Sequence, residues 1–501
     1  MFKRIICLCL ACAISFGLCA LAEDAAAPAY VMAGLELNTS RDWSNNDFFK
    51  RMQEKTGISF TFQQYAENAK WQEAKQEMIG GGQLPDVLFK ANLSQAETIE
   101  MMEKGLLVDL APYLEDCCPN LWAKMQENPE YLEAITLPGG QIAALPQIQD
   151  YSVQNFMWIN EKWLKNLGLS APTNAQELVE VLEAFKTKDP NRNGKADEIP
   201  LGFIGPFDLK FLGHAFGLIA NDYNVYEEDG KVHFMPLQPE YRTFVTWLKD
   251  LYEAGLIDKD GFTTVDTMRT VTDSKATAIY GIVLTNTISN IFQVDWSTDY
   301  NLLMPLTYEG KQEYRNLTGN LARGAFAVTT ACDDPEALLR WVDYLYTEEG
   351  AILATVGQQN VDFVVDGDQS WRYLDHVQSN SYFTIYALIE GVPYYPGIQA
   401  SDFQMRMSGL TDAQRSPLER QAQMQSSLVR PFPFYYLTNA QQAQVSSLQN
   451  AIGYEVDLQL AQWVLGEEEI SDETFDAFEQ KLNELGLQDF LAFWQDVLDH
   501  N

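Results

Sequence analysis

From Tyr30 onward the apolar positions of the chain switch repeatedly between a helical and a strand period. Phe48, Phe49 and Met52 fall at helical spacing between Asp47 and Lys55, Gly57 follows as a stop, and Ile58 to Phe62 reads as a strand. The order then recurs: a helical pattern containing Trp71, Ala74 and Met78 halts at Gly80-Gly81-Gly82, and Leu84-Pro85-Asp86-Val87-Leu88-Phe89 turns into an unbroken apolar run. Such a run suits a strand covered on both faces, so the pattern predicts βαβ units, a parallel sheet and an α/β fold.

Later helices are marked as clearly. Thr173 and Gln176 form a capping-box pattern ahead of Leu178, Val181, Leu182 and Phe185, an apolar face at i, i+3, i+4 and i+7 that runs into Asp189. A helix is expected after Asp334, with Pro335 in its first turn, Leu338, Leu339, Val342 and Leu345 on one face, and an end near Gly350. Ser471 or Asp472 should cap a helix with the stripe Phe475, Phe478, Leu482 and Leu485 and a stop at Gly486. Residues 366–437 differ, being rich in Tyr, Phe, Gln, Ser and Pro with weak periodicity. They read as long loops and short helices of the kind that line sites.

The first 22 residues follow another logic. Lys3 and Arg4 precede the apolar run Ile5 to Leu18, and Ala20-Leu21-Ala22 offers small residues to a signal peptidase, so residues 1–22 read as a secretory signal peptide. Four of the seven cysteines lie in that leader, leaving Cys117, Cys118 and Cys332. An odd count leaves at least one free thiol; Cys117 and Cys118 bridge each other, one bridges Cys332, or all stay reduced.

Composition narrows the partners. With 34 Lys+Arg against 70 Asp+Glu in 501 residues, the net charge is −36, which disfavours nucleic acid and anionic membrane as partners. A hydrophobic content of 46% and this length allow two to four packed domains with room for a cleft between them.

One loop carries metal chemistry. Asp189-Pro190-Asn191-Arg192-Asn193-Gly194-Lys195-Ala196-Asp197-Glu198 places oxygen side chains at positions 1, 3, 5 and 9 and glycine at 6 of an EF-hand-like loop. Every second side chain then points at a hard cation, the Lys195 carbonyl fills position 7, and Glu198 supplies a carboxylate that Pro200 at position 12 does not. The expectation is a structural Ca2+ clamp; the plain alternative is a solvated Asn/Gly turn. Among the aromatics, Trp43, Tyr151, Trp158, Trp296, Tyr394 and Tyr395 fall outside helical stripes, with Arg41, Asp150, Asn286 and Asp295 nearby. Ring faces beside such polar groups suit sugar rings and their hydroxyls. Trp163, Trp247 and Trp341 sit in helical patterns and are assigned to the core. Neither a nucleophile elbow, a zinc-protease helix, a P-loop nor a dinucleotide fingerprint occurs, so most catalytic classes lose support. A secreted glycoside hydrolase or lyase stays open, since a catalytic pair could lie among the 70 acids, as does a peptide-binding surface protein.

Read together, several motifs resemble extracellular solute-binding proteins of family 1. They are Gly82-Gln83-Leu84-Pro85-Asp86-Val87, Gly105-Leu106-Leu107-Val108-Asp109-Leu110, Pro119-Asn120-Leu121 and Gly140-Gln141-Ile142-Ala143-Ala144-Leu145-Pro146, then Trp158-Ile159-Asn160-Glu161-Lys162-Trp163-Leu164 and Leu167-Gly168-Leu169. The Asp189 loop entering Ile199-Pro200-Leu201, then Leu251-Tyr252-Glu253-Ala254-Gly255-Leu256-Ile257, Leu339 to Tyr346 and Glu349-Gly350-Ala351 continue the order. The calcium loop is similar to that of the oligosaccharide-binding branch that includes the alginate-binding proteins.

The resemblance implies a two-lobe periplasmic-binding-protein-like (type II) fold with a hinge and extra C-terminal helices. The first lobe would hold 30–148 plus 322–360 and the second 149–321 plus 361–501, with crossings near Gln147, Ala322 and Val361. It implies a monomeric, non-enzymatic receptor that delivers an oligosaccharide to the permease subunits of an ABC importer. Calcium would be held by Asp189, Asn191, Asn193, the Lys195 carbonyl, Asp197 and Glu198. Ligand contacts are expected from Arg41, Trp43 and Asn92 of one lobe and Tyr151, Asn286, Trp296, Tyr394 and Tyr395 of the other. Many relatives are lipoproteins, but Phe16-Gly17-Leu18 before Cys19 departs from a lipobox. Ordinary cleavage after Ala22 would release the protein into a periplasm or outside the cell, while a lipid anchor at Cys19 stays open as the alternative.

Overall fold

The computed structural model describes residues 29–39, 41–150, 152, 154–262, 278–286, 288, 298–317, 320–378 and 395–500. Two sheets organise them. The first has six strands in the order Gly397–Ile398, Leu145–Ile148, Leu321–Val328, Val87–Phe89, Ala29–Leu35 and Ser59–Tyr65. Ala29–Leu35 runs parallel to both neighbours, as the βαβ pattern predicts, whereas the returning strand Leu321–Val328 is antiparallel to both of its own. The second sheet orders Tyr300–Leu302, Phe156–Asn160, Tyr280–Thr285 and Ile199–Gly202, with its last pair parallel.

Local chemistry explains the helices. Helix Asp47–Thr56 begins where the Asn46 side chain accepts from the Phe48 N–H at 2.8 Å and ends at Gly57, whose φ of 73° suits a residue without Cβ. Helix Ala175–Thr187 is capped by Asn174, which accepts from the Glu177 N–H at 3.0 Å. The expected Thr173–Gln176 box is thus shifted by one residue, and Thr173 instead donates its hydroxyl to the Glu177 carboxylate. The helix expected to run on to Gly350 breaks at Tyr344–Tyr346 and restarts as Glu348–Thr355. At Gly350 a Cβ would stand 1.9 Å from the Tyr344 carbonyl oxygen, so only glycine lets the two segments meet.

Separate cores follow the two sheets. Helices on both faces of the first sheet bury one cluster around Trp43, Phe89 and Trp341 and another around Trp71, Leu88 and Met101. The second sheet shares one larger core with the C-terminal helices Asn439–Leu465, Asp472–Glu484 and Leu487–His500. The chain passes from first to second sheet between Ile148 and Phe156 and returns between Leu302 and Leu321. These crossings are tied together: the Gln149 N–H donates to the Asn320 carbonyl at 2.8 Å, and Tyr314–Arg315 pairs with Leu428–Val429.

The third crossing is not near Val361. Asp362 is buried against Arg51 of helix Asp47–Thr56, Phe363 and Trp371 pack with Phe403 around helix Glu348–Thr355, and Gly397–Ile398 extends the first sheet. The stretch after Val361 therefore belongs to the first lobe, and the chain leaves it between Ile398 and Leu428. Short aromatic strands without long periodicity hid this allegiance in the sequence.

Two buried titratable groups brace the second lobe beside the crossings. Asp208 accepts from the Ile204 N–H at 2.9 Å and from Nδ2 of Asn155, a crossing residue, at 3.0 Å. Burial pushes its carboxyl up to about 6, against the pull of these bonds and of Arg315. His214 donates Nδ1–H to the Phe211 carbonyl at 2.7 Å and accepts at Nε2 from the Leu306 N–H at 2.9 Å, which fixes the neutral tautomer, and burial holds it down to about 4. The raised Asp208 favours folding below its unfolded value of about 3.9 and loses that contribution as pH rises through about 6. The depressed His214 contributes above about 6.5 and loses it as pH falls toward about 4. The two slopes oppose. Asp208→Asn removes the first, so its stability relative to wild type should rise by about 2–3 kcal/mol between pH 4 and pH 7. Denaturant melts across that range check this; a pH-independent difference would contradict it.

Candidate functional site

Open α/β sheets bind ligands at the carboxyl ends of their parallel strands, and there the first lobe gathers charge and loops. After Ala29–Leu35, Glu36 is buried with Lys90 from the loop after Val87–Phe89: the Lys90 ammonium bonds Glu36 Oε2, and Arg41 Nη1 lies 3.4 Å from the same oxygen. Gln64 fixes the rest of the first loop by donating to the Arg41 carbonyl at 2.6 Å and accepting from the Trp43 N–H at 3.0 Å. Asn92 sits in the second loop with a φ of 45°. It is half-buried, and among the described residues its side-chain amide has no hydrogen-bond partner. From the second lobe, Asn286 stands exposed at the end of strand Tyr280–Thr285.

A strap bridges the lobes. In Pro431-Phe432-Pro433-Phe434-Tyr435-Tyr436-Leu437, Phe434 and Tyr436 join first-lobe clusters while Phe432 and Leu437 join the second-lobe core. The guanidinium of Arg323, on strand Leu321–Val328, lies 3.9 Å from the Phe434 ring centre and 4.1 Å from that of Tyr436. Arg323 also donates to the carbonyls of Ala134 and Tyr435. Beside the strap is an interlobe cavity of about 180 Å³ lined by Gln95 and Arg323 on one side and Asn221, Tyr223 and Trp494 on the other. Sequence reasoning missed Gln95 and Arg323; the only signal was the Pro-Phe alternation of the strap.

The structure brings only part of the expected ligand set to this edge. Trp43 is 1% exposed and packs against Phe49, Phe62 and Phe89 with ring centres 5.6 to 5.8 Å apart, so it is a core residue and not an open platform. Tyr395 is wholly buried and donates its hydroxyl to the Ile398 carbonyl. It stays with the first lobe, not the second. Trp158 is buried on its strand and donates to the Thr285 carbonyl at 3.0 Å. Arg41 reaches the edge but is buried on Glu36. Tyr151, Trp296 and Tyr394 lie outside the described residues, as do residues 1–22.

The Asp189 loop joins helix Ala175–Thr187 to strand Ile199–Gly202. Asp189 accepts from the N–H groups of Asn193 and Gly194, both at 3.1 Å, and Asn193 Oδ1 accepts from the Lys195 N–H at 2.7 Å. The Asn191 and Asn193 amides lie 3.3 and 2.9 Å from Asp197 Oδ1. Glu198 Oε1 is buried without a hydrogen-bond partner among the described residues, and burial, then the charges of Asp189 and Asp197, push that carboxyl above its usual range. Among the described residues no three His, Cys, Asp or Glu side chains form a metal cluster by themselves. The donor set here depends on amide and carbonyl oxygens as well, and that hard, oxygen-only set with an orphaned carboxylate oxygen fits calcium.

Cys117, Cys118 and Cys332 are all free and buried, and burial raises each thiol above its usual range, which removes the thiolate a nucleophile needs. No helix among the described residues is long and apolar enough to cross a membrane.

Comparison with known proteins adds to this geometry. The family model for bacterial extracellular solute-binding proteins matches residues 38–352. The fructooligosaccharide ABC transporter substrate-binding protein FusA of Streptococcus pneumoniae serotype 4 is 27% identical over 481 residues, 92% of this chain and 88% of FusA. The structure of FusA in complex with kestose superposes with a TM-score of 0.67 at 25% identity, covering 94% of this chain and 99% of that one. An EF-hand mutant of FusA in complex with fructo-nystose gives the same values. An extracellular solute-binding protein from Bifidobacterium longum subsp. infantis reaches a TM-score of 0.73 at 23% identity, with 94% and 98% coverage, and speaks for the fold alone.

Proposed function

Because the chain belongs to the bacterial extracellular solute-binding proteins, we propose that it is the binding component of an ABC importer, capturing an oligosaccharide between its lobes. The observation that carries this reading is similarity to a fructooligosaccharide-binding protein across 92% of the chain. Membership of the family makes the chain a binder and not an enzyme. Three hydrogen-bonded crossings let the lobes rock as bodies, and a ligand favours the closed form only to the extent that it touches both. Asn92 and Asn286 are the described contacts we assign to sugar hydroxyls, joined by Tyr151, Trp296 and Tyr394. The receptor acts as a monomer outside the cytoplasm, released by cleavage after Ala22 without a lipid on Cys19; a diacylated Cys19 in mass spectra of the mature protein would refute the last point.

Calcium belongs to the same proposal. Asp189, Asn191, Asn193, the Lys195 carbonyl, Asp197 and Glu198 would hold the ion and join helix Ala175–Thr187 to the second sheet. A ligand at about 100 times its Kd stabilises by about 2.7 kcal/mol, which for a lobe of this size is roughly 5–10 °C. Stripping calcium with a chelator should lower Tm by that order, and Asp189→Ala should abolish the difference. A Tm indifferent to the chelator would sink the calcium site without touching the sugar reading, which calorimetry with kestose and other oligosaccharides tests directly.

A further inference from the structure

Helix Asn68–Ile79 carries two polar donors that the oligosaccharide reading does not use. Trp71 and Lys75 are four residues apart and share one helix face, and both are fully buried. Trp71 Nε1 donates to the Ala91 carbonyl at 2.7 Å, and Lys75 Nζ donates to the Asn92 carbonyl at 3.1 Å. One helix turn therefore holds two successive carbonyls of the loop after Val87–Phe89.

The lysine is fully satisfied. Its ammonium also meets Glu97 Oε2 at 2.7 Å and, with the Gln72 amide oriented so that its nitrogen donates to Glu97 Oε1, the Gln72 oxygen at 3.1 Å. Three protons thus have three acceptors. Glu97 in turn accepts from the Ser94 N–H at 2.8 Å, and Ser94 caps the helix that begins at Gln95. Burial pulls the Lys75 pKa below the usual lysine range, with Glu97 opposing. A purely structural core position would be filled at lower desolvation cost by an apolar side chain.

What the ammonium fixes is a loop in an unusual conformation. Lys90 and Asn92 have φ values of 50° and 45°, in the left-handed region that side chains with a Cβ seldom adopt. Strand Leu321–Val328 holds the other side, where the Ala91 N–H donates to the Ala325 carbonyl and the Leu93 N–H to the Gly324 carbonyl, both at 3.0 Å. Left-handed backbone persists where its surroundings over-determine it, and such sites are places of preorganisation.

We propose that Lys75, assisted by Trp71, is a positioning residue for oligosaccharide binding: it locks the Asn92 peptide so that the free amide of Asn92 is presented to the ligand in one orientation before the lobes close. This rests on the reading of Asn92 as a ligand contact. A residue acting only through Asn92 leaves a signature that general destabilisation does not, because its effect disappears once Asn92 is gone.

The test is a double-mutant cycle read by calorimetry with kestose in calcium, on folded protein checked by thermal melts. Lys75→Met and Asn92→Ala should each raise Kd by about tenfold, and the double variant should bind no more weakly than Asn92→Ala alone. Should Lys75→Met not fold, Trp71→Phe deletes only the indole N–H and should show the same non-additivity with a smaller single effect. Additive losses, or an unchanged Kd in Lys75→Met while Asn92→Ala weakens binding, overturn the positioning role alone. No kestose binding by the wild type, or no effect of Asn92→Ala, overturns the ligand contact beneath it, and the positioning role falls with that contact.

Discussion

Trp341→Ala is expected to cost the first lobe about 3–5 kcal/mol, the range for deleting a large aromatic from a closed core. Trp341 is 1% exposed on helix Pro335–Asp343, near-parallel to Phe49 at 6.4 Å between ring centres and edge-on to Phe60 and Phe89 at 5.1 and 5.9 Å. These rings come from a helix and two strands, so they cannot close on the vacated volume together. Among the described residues the indole Nε1 has no hydrogen-bond partner. Trp341→Phe therefore loses packing but no hydrogen bond, and should cost well under half as much. Urea melts compare the two; equal losses would show that the indole nitrogen matters in a way this packing does not explain.

Arg51→Met should destabilise by a similar amount, about 3–5 kcal/mol, because it strands a buried charge. The Asp362 carboxylate is 1% exposed and takes both arms of the Arg51 guanidinium, one at 3.0 Å between Nη2 and Oδ1, and it also accepts from the Gln358 N–H at 2.7 Å. With arginine removed, one peptide N–H remains to compensate a desolvated anion. Replacing both partners, as in Arg51→Met with Asp362→Leu, should recover much of the loss, since no charge is then left behind. Hydrogen exchange would place the weakening in helices Asp47–Thr56 and Glu348–Thr355. Weakening confined to the second lobe would contradict the assignment of residues after Val361 to the first.

The same ion pair shows where sequence reading stops. Helical stripes such as Phe48-Phe49-Met52 and Leu178-Val181-Leu182-Phe185 name their own buried faces, because their period is local. The βαβ order of the first sheet is legible for that reason. Asp362 and Arg51 are 311 residues apart and nothing local marks them as partners. Trp43 was misread by an equally local argument. Lying outside a helical stripe made it look like a platform, yet Phe49, Phe62 and Phe89 converge on it from three elements. Asn92 lies three residues beyond the run Leu84 to Phe89, which the sequence reads as a turn and a buried strand. The lysine beneath it was not legible, because a lysine inside an amphipathic helix pattern reads as surface until the Asn92 carbonyl is seen above it. The Asp189 loop is the opposite case: the residues proposed to hold calcium all lie within ten positions, so spacing alone is enough to suggest them.

The most direct measurement is isothermal calorimetry of residues 23–501 in calcium against kestose, nystose and acidic oligosaccharides of comparable length, with the sugar recovered and analysed afterwards. At least one series should bind at one site per chain, weaken when Asn92 or Asn286 is changed to alanine, and be returned uncut. Binding of no oligosaccharide alongside tight binding of a peptide, or recovery of cleaved sugar, would contradict the oligosaccharide-receptor reading.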